Sequence, residues 1–89
     1  MTAGYTVQLS KLAKEQFDHF VRTDRRLGKQ LAKAIDRLAA SPRLGEQLKG
    51  EWKGYWRYRT GNYRIVYRIE HERLLIFIIR IGDRKDVYR

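Results

Sequence analysis

Along the first half of the chain, apolar positions recur with the two periods that separate strand from helix. In "YTVQL", Tyr5, Val7 and Leu9 alternate with Thr6 and Gln8, as they do in a half-buried strand with one apolar face. Ser10 follows, and its hydroxyl suits the N-cap of a helix. Beyond it, Ala13, Phe17, Phe20 and Val21 return at spacings of three and four, predicting a helix with one apolar stripe through about Thr23. Leu27, Leu31, Ala34, Ile35 and Leu38 follow the i, i+4, i+7, i+8, i+11 template of a second helix. "SPRLG" ends it, because the residue before a proline avoids helical geometry. The two predicted helices form a hairpin.

After a loop holding Leu44 and Leu48, the period changes from 3.6 to 2. "YWRYR" and "YRIVYRI" flank "TGN", a turn whose glycine and asparagine tolerate positive φ, so an antiparallel hairpin is predicted. In its second strand Tyr63, Ile65, Tyr67 and Ile69 share one face, opposite Arg64, Val66 and Arg68. "EHER" reads as another turn, and "LLIFIIRI" is apolar on both faces, as a central strand with a covered underside would be. The element order is β-α-α-β-β-β, with no internal repeat, low-complexity segment or linker. The fold class expected is α+β: a single small domain over residues 1–89, with a helical hairpin packed on one face of a mainly antiparallel sheet.

Composition changes this picture in two ways. The chain has 89 residues and no cysteine, so one small apolar core must carry its stability without disulfides or thiolate metal sites. "MTAGYTVQLSKLAKEQF" lacks the order of a secretory signal, and the longest apolar run falls far short of the roughly 20 residues that span a bilayer, so a soluble cytoplasmic protein with no membrane segment is expected. Charge is the second change. Twenty Lys and Arg against ten Asp and Glu give a net charge of +10, which calls for a polyanionic partner without choosing among nucleic acid, acidic protein and anionic surface. From Trp52 to Ile69 there are five basic residues (Lys53, Arg57, Arg59, Arg64, Arg68) and no acidic one, interleaved with six aromatic rings. His19 and His71 have no ligand cluster at metal spacing, convergent carboxylates are lacking, and no phosphate-binding loop or Ser-His-Asp arrangement is present, so neither a metal nor a cofactor is expected.

Three features carry a resemblance over nearly the whole chain: "LKGEWKGYWRYRTGNYRIVYRI", with its basic strand and "YRxxY" strand; "LLIFIIRIGDRKDVYR", an apolar strand followed by a "GxRxDxY" ending; and the element order. Together they resemble a RelE-type toxin of the RelE/ParE toxin–antitoxin superfamily, with its RelE-like microbial RNase fold. The resemblance implies a small prokaryotic toxin, a ribosome-dependent mRNA endonuclease that cleaves A-site codons by metal-independent 2′-hydroxyl attack, neutralised by an acidic RelB-like antitoxin. Two other readings stay open. A ParE-like toxin shares the fold but inhibits DNA gyrase, and a catalytically weak relative would bind ribosome or RNA without cutting; the terminal tyrosine of "RKDVYR" points toward the RNA-cutting branch.

Metal-free RNA cleavage needs alignment of the 2′-hydroxyl, removal of its proton, stabilisation of charge on phosphorus and protonation of the departing 5′-oxygen. Arginine suits the phosphate, because its fixed fork of donors stays charged throughout. By resemblance, Arg64 matches the "YR" arginine, Arg84 the "GxR" arginine and Tyr88 the terminal tyrosine that positions or deprotonates the attacking hydroxyl, with Arg57 beside them as a further catalytic candidate. Lys53, Arg59, Arg68 and Lys85 are candidate substrate contacts. Three positions depart from the pattern. Asp83 stands where many relatives carry histidine, and is either a base for the 2′-hydroxyl or an N-cap with Asp86 as the acidic N3 residue of a final helical turn. Tyr55 and Arg57 stand where some relatives place lysines; arginine does not readily donate a proton, which leaves Lys53 and Lys85 as the candidate acids. The plain alternative is that Arg57, Arg59, Arg64 and Arg68 are the solvated face of a half-buried sheet and the aromatic residues its packing.

Overall fold

The computed structural model describes residues 4–83 of the chain. Its elements are β1 (Thr6–Leu9), α1 (Lys11–Thr23), α2 (Arg25–Ala40), β2 (Glu46–Gln47), β3 (Trp56–Thr60), β4 (Tyr63–Glu70) and β5 (Leu75–Asp83), with 3₁₀ turns at Pro42–Leu44, Gly50–Trp52 and His71–Arg73. The five strands form one sheet in the order β1-β5-β4-β3-β2. Only β1 and β5 run parallel; the other three pairings are antiparallel, in agreement with the mainly antiparallel sheet expected.

The helix boundaries follow from local chemistry. Ser10 accepts the Ala13 amide at 3.0 Å and opens α1. Asp24 does two jobs in one position: its amide donates to the Phe20 carbonyl at the end of α1, and its carboxylate accepts the Leu27 amide at 3.1 Å to open α2. One residue therefore turns the chain between the helices, and they cross closely where Gly28 meets Val21. A Cβ on Gly28 would lie 3.1 Å from both Cα and Cγ2 of Val21. Val21, which the helical spacing assigns to the apolar stripe, is instead 44 % exposed at this rim.

The hairpin turn is tighter than the sequence alone requires. Thr60 pairs directly with Tyr63, leaving Gly61 and Asn62 as a two-residue loop in which only the glycine has positive φ, at 61°, the pattern of a type II′ turn. The stretch read as a loop around Leu44 and Leu48 contains β2, whose Glu46 and Gln47 pair with Arg57 and Trp56, so the order gains a strand too short to show any period. Leu74 is not part of the last strand. It closes the His71–Arg73 turn in the left-handed region at φ 49° and is half exposed.

The core lies between the helix pair and one sheet face. Leu27, Leu31, Ala34 and Leu38 of α2 and Ala13 of α1 pack against Ile65, Tyr67, Ile76, Ile78 and Ile81. Ile78 and Ile81 are three residues apart, which a regular strand would place on opposite faces. A bulge resolves this: Tyr67 pairs with Ile78 and Val66 with Arg80, leaving Ile79 as the extra residue. The backbone groups freed there are taken up by α1, since the Ser10 hydroxyl donates to the Ile79 carbonyl at 2.6 Å and the Ile81 amide donates to Gln16 Oε1 at 2.7 Å. Among the described residues, no helix is long and apolar enough to cross a membrane.

Candidate nucleic-acid interface

The sheet face opposite the core is built largely of arginine. Strand alternation places Arg57 and Arg59 of β3 and Arg64 and Arg68 of β4 there, because their neighbours Trp56, Tyr58, Ile65 and Tyr67 all pack into the helix side. Register then makes rows. Arg59 lies directly across from Arg64, which is in turn paired with Gly82; Arg57, Val66 and Arg80 form the next row. Like charges placed directly opposite on adjacent strands are destabilising by a few tenths of a kcal/mol or more. An anion near such a row relieves that repulsion.

One anion is supplied by the protein itself. Glu46, paired across β2 and β3 with Arg57, accepts from Arg57 Nη2 at 2.8 Å and lies 4.0 Å from Arg59 Nη2. The hydrogen bond from Arg57 and its charge, opposed by desolvation and aided by the charges of Arg59 and Arg64, hold its carboxyl below the usual glutamate range. Val66 is fully buried beneath this row without belonging to the core cluster, so the arginine stems cover apolar surface while their heads remain at the face. Arg68 sits toward the other end of β4, where it pairs with Glu70 at 3.0 Å and stacks 5.2 Å from the Phe77 ring.

The anticipated residues therefore divide. Arg57, Arg59, Arg64 and Arg68 share one face. Lys53 lies apart, in a groove of about 460 Å³ beside Tyr55 and Trp56, on the loop whose Gly50 and Gly54 both take positive φ. The Trp52 and Tyr55 rings meet edge to face there at 5.6 Å. Asp83 ends β5 at an exposed position opposite Tyr63; the helical turn it would cap, and Arg84, Lys85, Asp86 and Tyr88, lie outside the described residues. Two members of the face escape a reading by local pattern. Arg80 is hidden in an apolar run, where a lone cation in a central strand is the available signal, and Glu46 falls in a segment with no periodicity. Among the described residues, no three His, Asp or Glu side chains group as a metal ion would require.

The position of Glu46 is held from below. The Tyr67 hydroxyl, at the tip of a fully buried ring, donates to the Pro42 carbonyl at 2.6 Å and accepts the Gly45 amide at 3.2 Å. Gly45 has no room for a side chain, because a Cβ would lie 2.5 Å from the Arg57 carbonyl oxygen and 2.6 Å from the Tyr67 hydroxyl. The glycine is thus needed for close approach, its φ of −78° being open to any residue.

Comparison with known proteins accords with this architecture. A family model described as the ParE toxin of the type II toxin–antitoxin system parDE matches residues 7–88. Toxin RelG of Mycobacterium tuberculosis is 33 % identical over 86 residues, covering 96 % of this chain and 97 % of that protein. The crystal structure of the toxin–antitoxin complex RelBE2 from the same organism contains a chain that superposes with a TM-score of 0.80 at 28 % identity, over 97 % of this chain and 98 % of that one. The YoeB/ParE toxin from Agrobacterium tumefaciens superposes with a TM-score of 0.79 at 25 % identity, over 88 % and 96 %. A match across almost the whole length, with a fold that agrees, means that this chain belongs to the ParE toxin family of type II toxin–antitoxin systems, within the RelE/ParE superfamily.

Proposed function

We propose that this toxin is a ribosome-dependent mRNA endonuclease that cleaves A-site codons without metal, and that the arginine face is where it holds the scissile phosphate. The observation that supports this best is the Glu46 carboxylate set among guanidiniums, 2.8 Å from Arg57 and within reach of Arg59. In the free protein Glu46 partly neutralises the row. An incoming phosphodiester competes for Arg57 and Arg59, and as they turn to its oxygens the carboxylate loses the partners that depress its pKa and becomes a stronger base. Glu46 then accepts the 2′-hydroxyl proton as the 2′-oxygen bonds to phosphorus, and Arg64 and Arg57 stabilise the charge that develops there. The P–O5′ bond breaks with the 5′-oxygen taking a proton from Lys53 or Lys85, the candidate acids, leaving a 2′,3′-cyclic phosphate.

Arg84 and Tyr88 join this set by resemblance to the family's "GxRxDxY" ending, with Lys85, Lys53, Arg59 and Arg68 as substrate contacts. Glu46 supplies the carboxylate in this reading, so no base is asked of Asp83. The reading places the protein in the cytoplasm, bound to an acidic antitoxin whose charge matches its own +10. A toxin–antitoxin complex among its structural relatives supports that partner.

Primer extension on a message in translating ribosomes tests this, comparing wild type with Arg64→Ala, Glu46→Gln and Tyr88→Phe. Cuts within the A-site codon that Arg64→Ala and Glu46→Gln reduce by about a hundredfold or more are expected, the scale of a lost proton acceptor or charge stabiliser. Absence of cuts with the wild-type protein would refute the endonuclease and turn attention to gyrase inhibition or plain ribosome binding.

A further inference from the structure

The largest uncompensated charge on the described protein is not on the sheet. Arg25, Arg26, Lys29, Lys33 and Arg37 line one open groove of about 590 Å³ along the outer side of α2. All five are exposed, and none forms an ion pair with a described residue, whereas Arg57, Arg59 and Arg68 on the sheet each have a carboxylate partner. Asp36, the one acid in α2, lines a different groove beside Val7 and Phe17. From Arg25 the cations recur every fourth residue, so they form an inclined stripe that rises about 6 Å and turns about 40° around the helix at each step, about 18 Å long in all. Arg25 and Arg26 also occupy the first turn, where the helix dipole disfavours cations and where α2 has no acidic residue. They are not there for the sake of the helix.

We infer that the α2 stripe is a second nucleic-acid site, a track for the phosphate backbone of duplex RNA on the helix layer, away from the arginine face of the sheet. The lining of the groove selects this ligand. Among the described residues no aromatic ring borders it, so it lacks the stacking platform that recognition of unpaired bases uses. Its apolar contribution is Ala34, which is buried, so an acidic protein segment that folds on docking would find charge but no anchor for its apolar side chains. A sugar–phosphate backbone asks for cations and hydrogen-bond donors alone. The groove is also rigid at one end: Gln30 donates from Nε2 to both the carbonyl and the hydroxyl of Thr60, at 2.9 and 3.2 Å, tying the middle of α2 to the end of β3. This site does not depend on cleavage at the sheet.

The test is fluorescence anisotropy of the full chain with a labelled blunt RNA duplex of about 16 base pairs, from about 50 to about 200 mM salt. The variant is Lys29→Gln/Lys33→Gln/Arg37→Gln, in which exposed helix formers replace exposed helix formers and the circular dichroism should stay that of wild type. The expected result is a plot of log K against log salt whose slope falls by about three, with affinity at 0.1 M down by roughly a hundredfold or more. Arg64→Ala should leave most of that slope in place. A triple variant that binds the duplex like wild type overturns the inference. So does a triple variant that loses binding to a glutamate-rich peptide but not to the duplex, since the stripe would then serve an acidic protein. If the wild-type protein makes no A-site cuts while the triple variant loses duplex binding, the endonuclease assignment fails and the stripe stands.

Discussion

Tyr67→Phe removes one oxygen and leaves the ring, its burial and its 6.3 Å stacking on Trp56 in place, so it isolates two hydrogen bonds. The Pro42 carbonyl loses its donor and the Gly45 amide its acceptor. At about 1 kcal/mol per bond, with an added cost for backbone groups left unpaired, the loss is about 2–3 kcal/mol. For a domain of this size that lowers Tm by roughly 10–20 °C. Titration supplies a second estimate. Burial, opposed by the Gly45 hydrogen bond, pushes the Tyr67 hydroxyl from 10.0 up to about 12. A folded pKa above the unfolded one gives stability that is complete below pH 10 and is lost as pH rises toward 12, because the unfolded phenol gives up its proton first. The phenylalanine variant has no such loss, so its deficit against wild type should narrow by about 1.4 kcal/mol between pH 7 and pH 11. Thermal unfolding of both proteins at neutral pH and near pH 11 measures both quantities, with all other titrations cancelling in the difference. A deficit below about 0.5 kcal/mol at pH 7, or one that does not shrink with pH, would refute the account.

Gly45→Ala should destabilise by about 1–3 kcal/mol and weaken β2, because the new methyl meets the Arg57 carbonyl and the Tyr67 hydroxyl, neither of which can swing aside; loss of protection at the Leu48 amide, which donates to the Tyr55 carbonyl just beyond β2, and a lower denaturation midpoint are the readouts. Ser10→Ala removes the α1 cap and the hydroxyl that satisfies the bulged Ile79 carbonyl, so the urea midpoint should fall by an amount worth about 1–3 kcal/mol with m unchanged. Glu46→Gln should change stability little, since the pair with Arg57 is solvated on the carboxylate side. What difference there is has a definite sign: the pKa is depressed in the folded state, so the benefit of the wild-type carboxylate is present at neutral pH and disappears as pH falls below the ordinary glutamate range near 4.3. Parallel Tm profiles from neutral to acid pH would show the two curves converging.

The sequence alone determined the two helices, the hairpin around Gly61 and the faces of β4, because these depend on contacts a few residues apart and leave a period of 3.6 or 2 in the chain. The arginines at 57, 59, 64 and 68 were legible as one basic face for the same reason. The assignment of Arg84, Lys85 and Tyr88 rests on the terminal motif and not on any period. Tertiary structure decided the rest. The position of β2, and with it Glu46, depends on pairing with Arg57 and on the buried Tyr67 hydroxyl, partners 11 and 22 residues along the chain from Glu46 and Gly45 respectively. Arg80 joins the open face because a bulge at Ile79 shifts the strand by one residue, and that bulge persists because Ser10 and Gln16 of a distant helix take up its backbone groups. Local periodicity records which face a residue prefers. A side chain's partners across the sheet are fixed by register, and register here is set by hydrogen bonds between segments up to 69 residues apart.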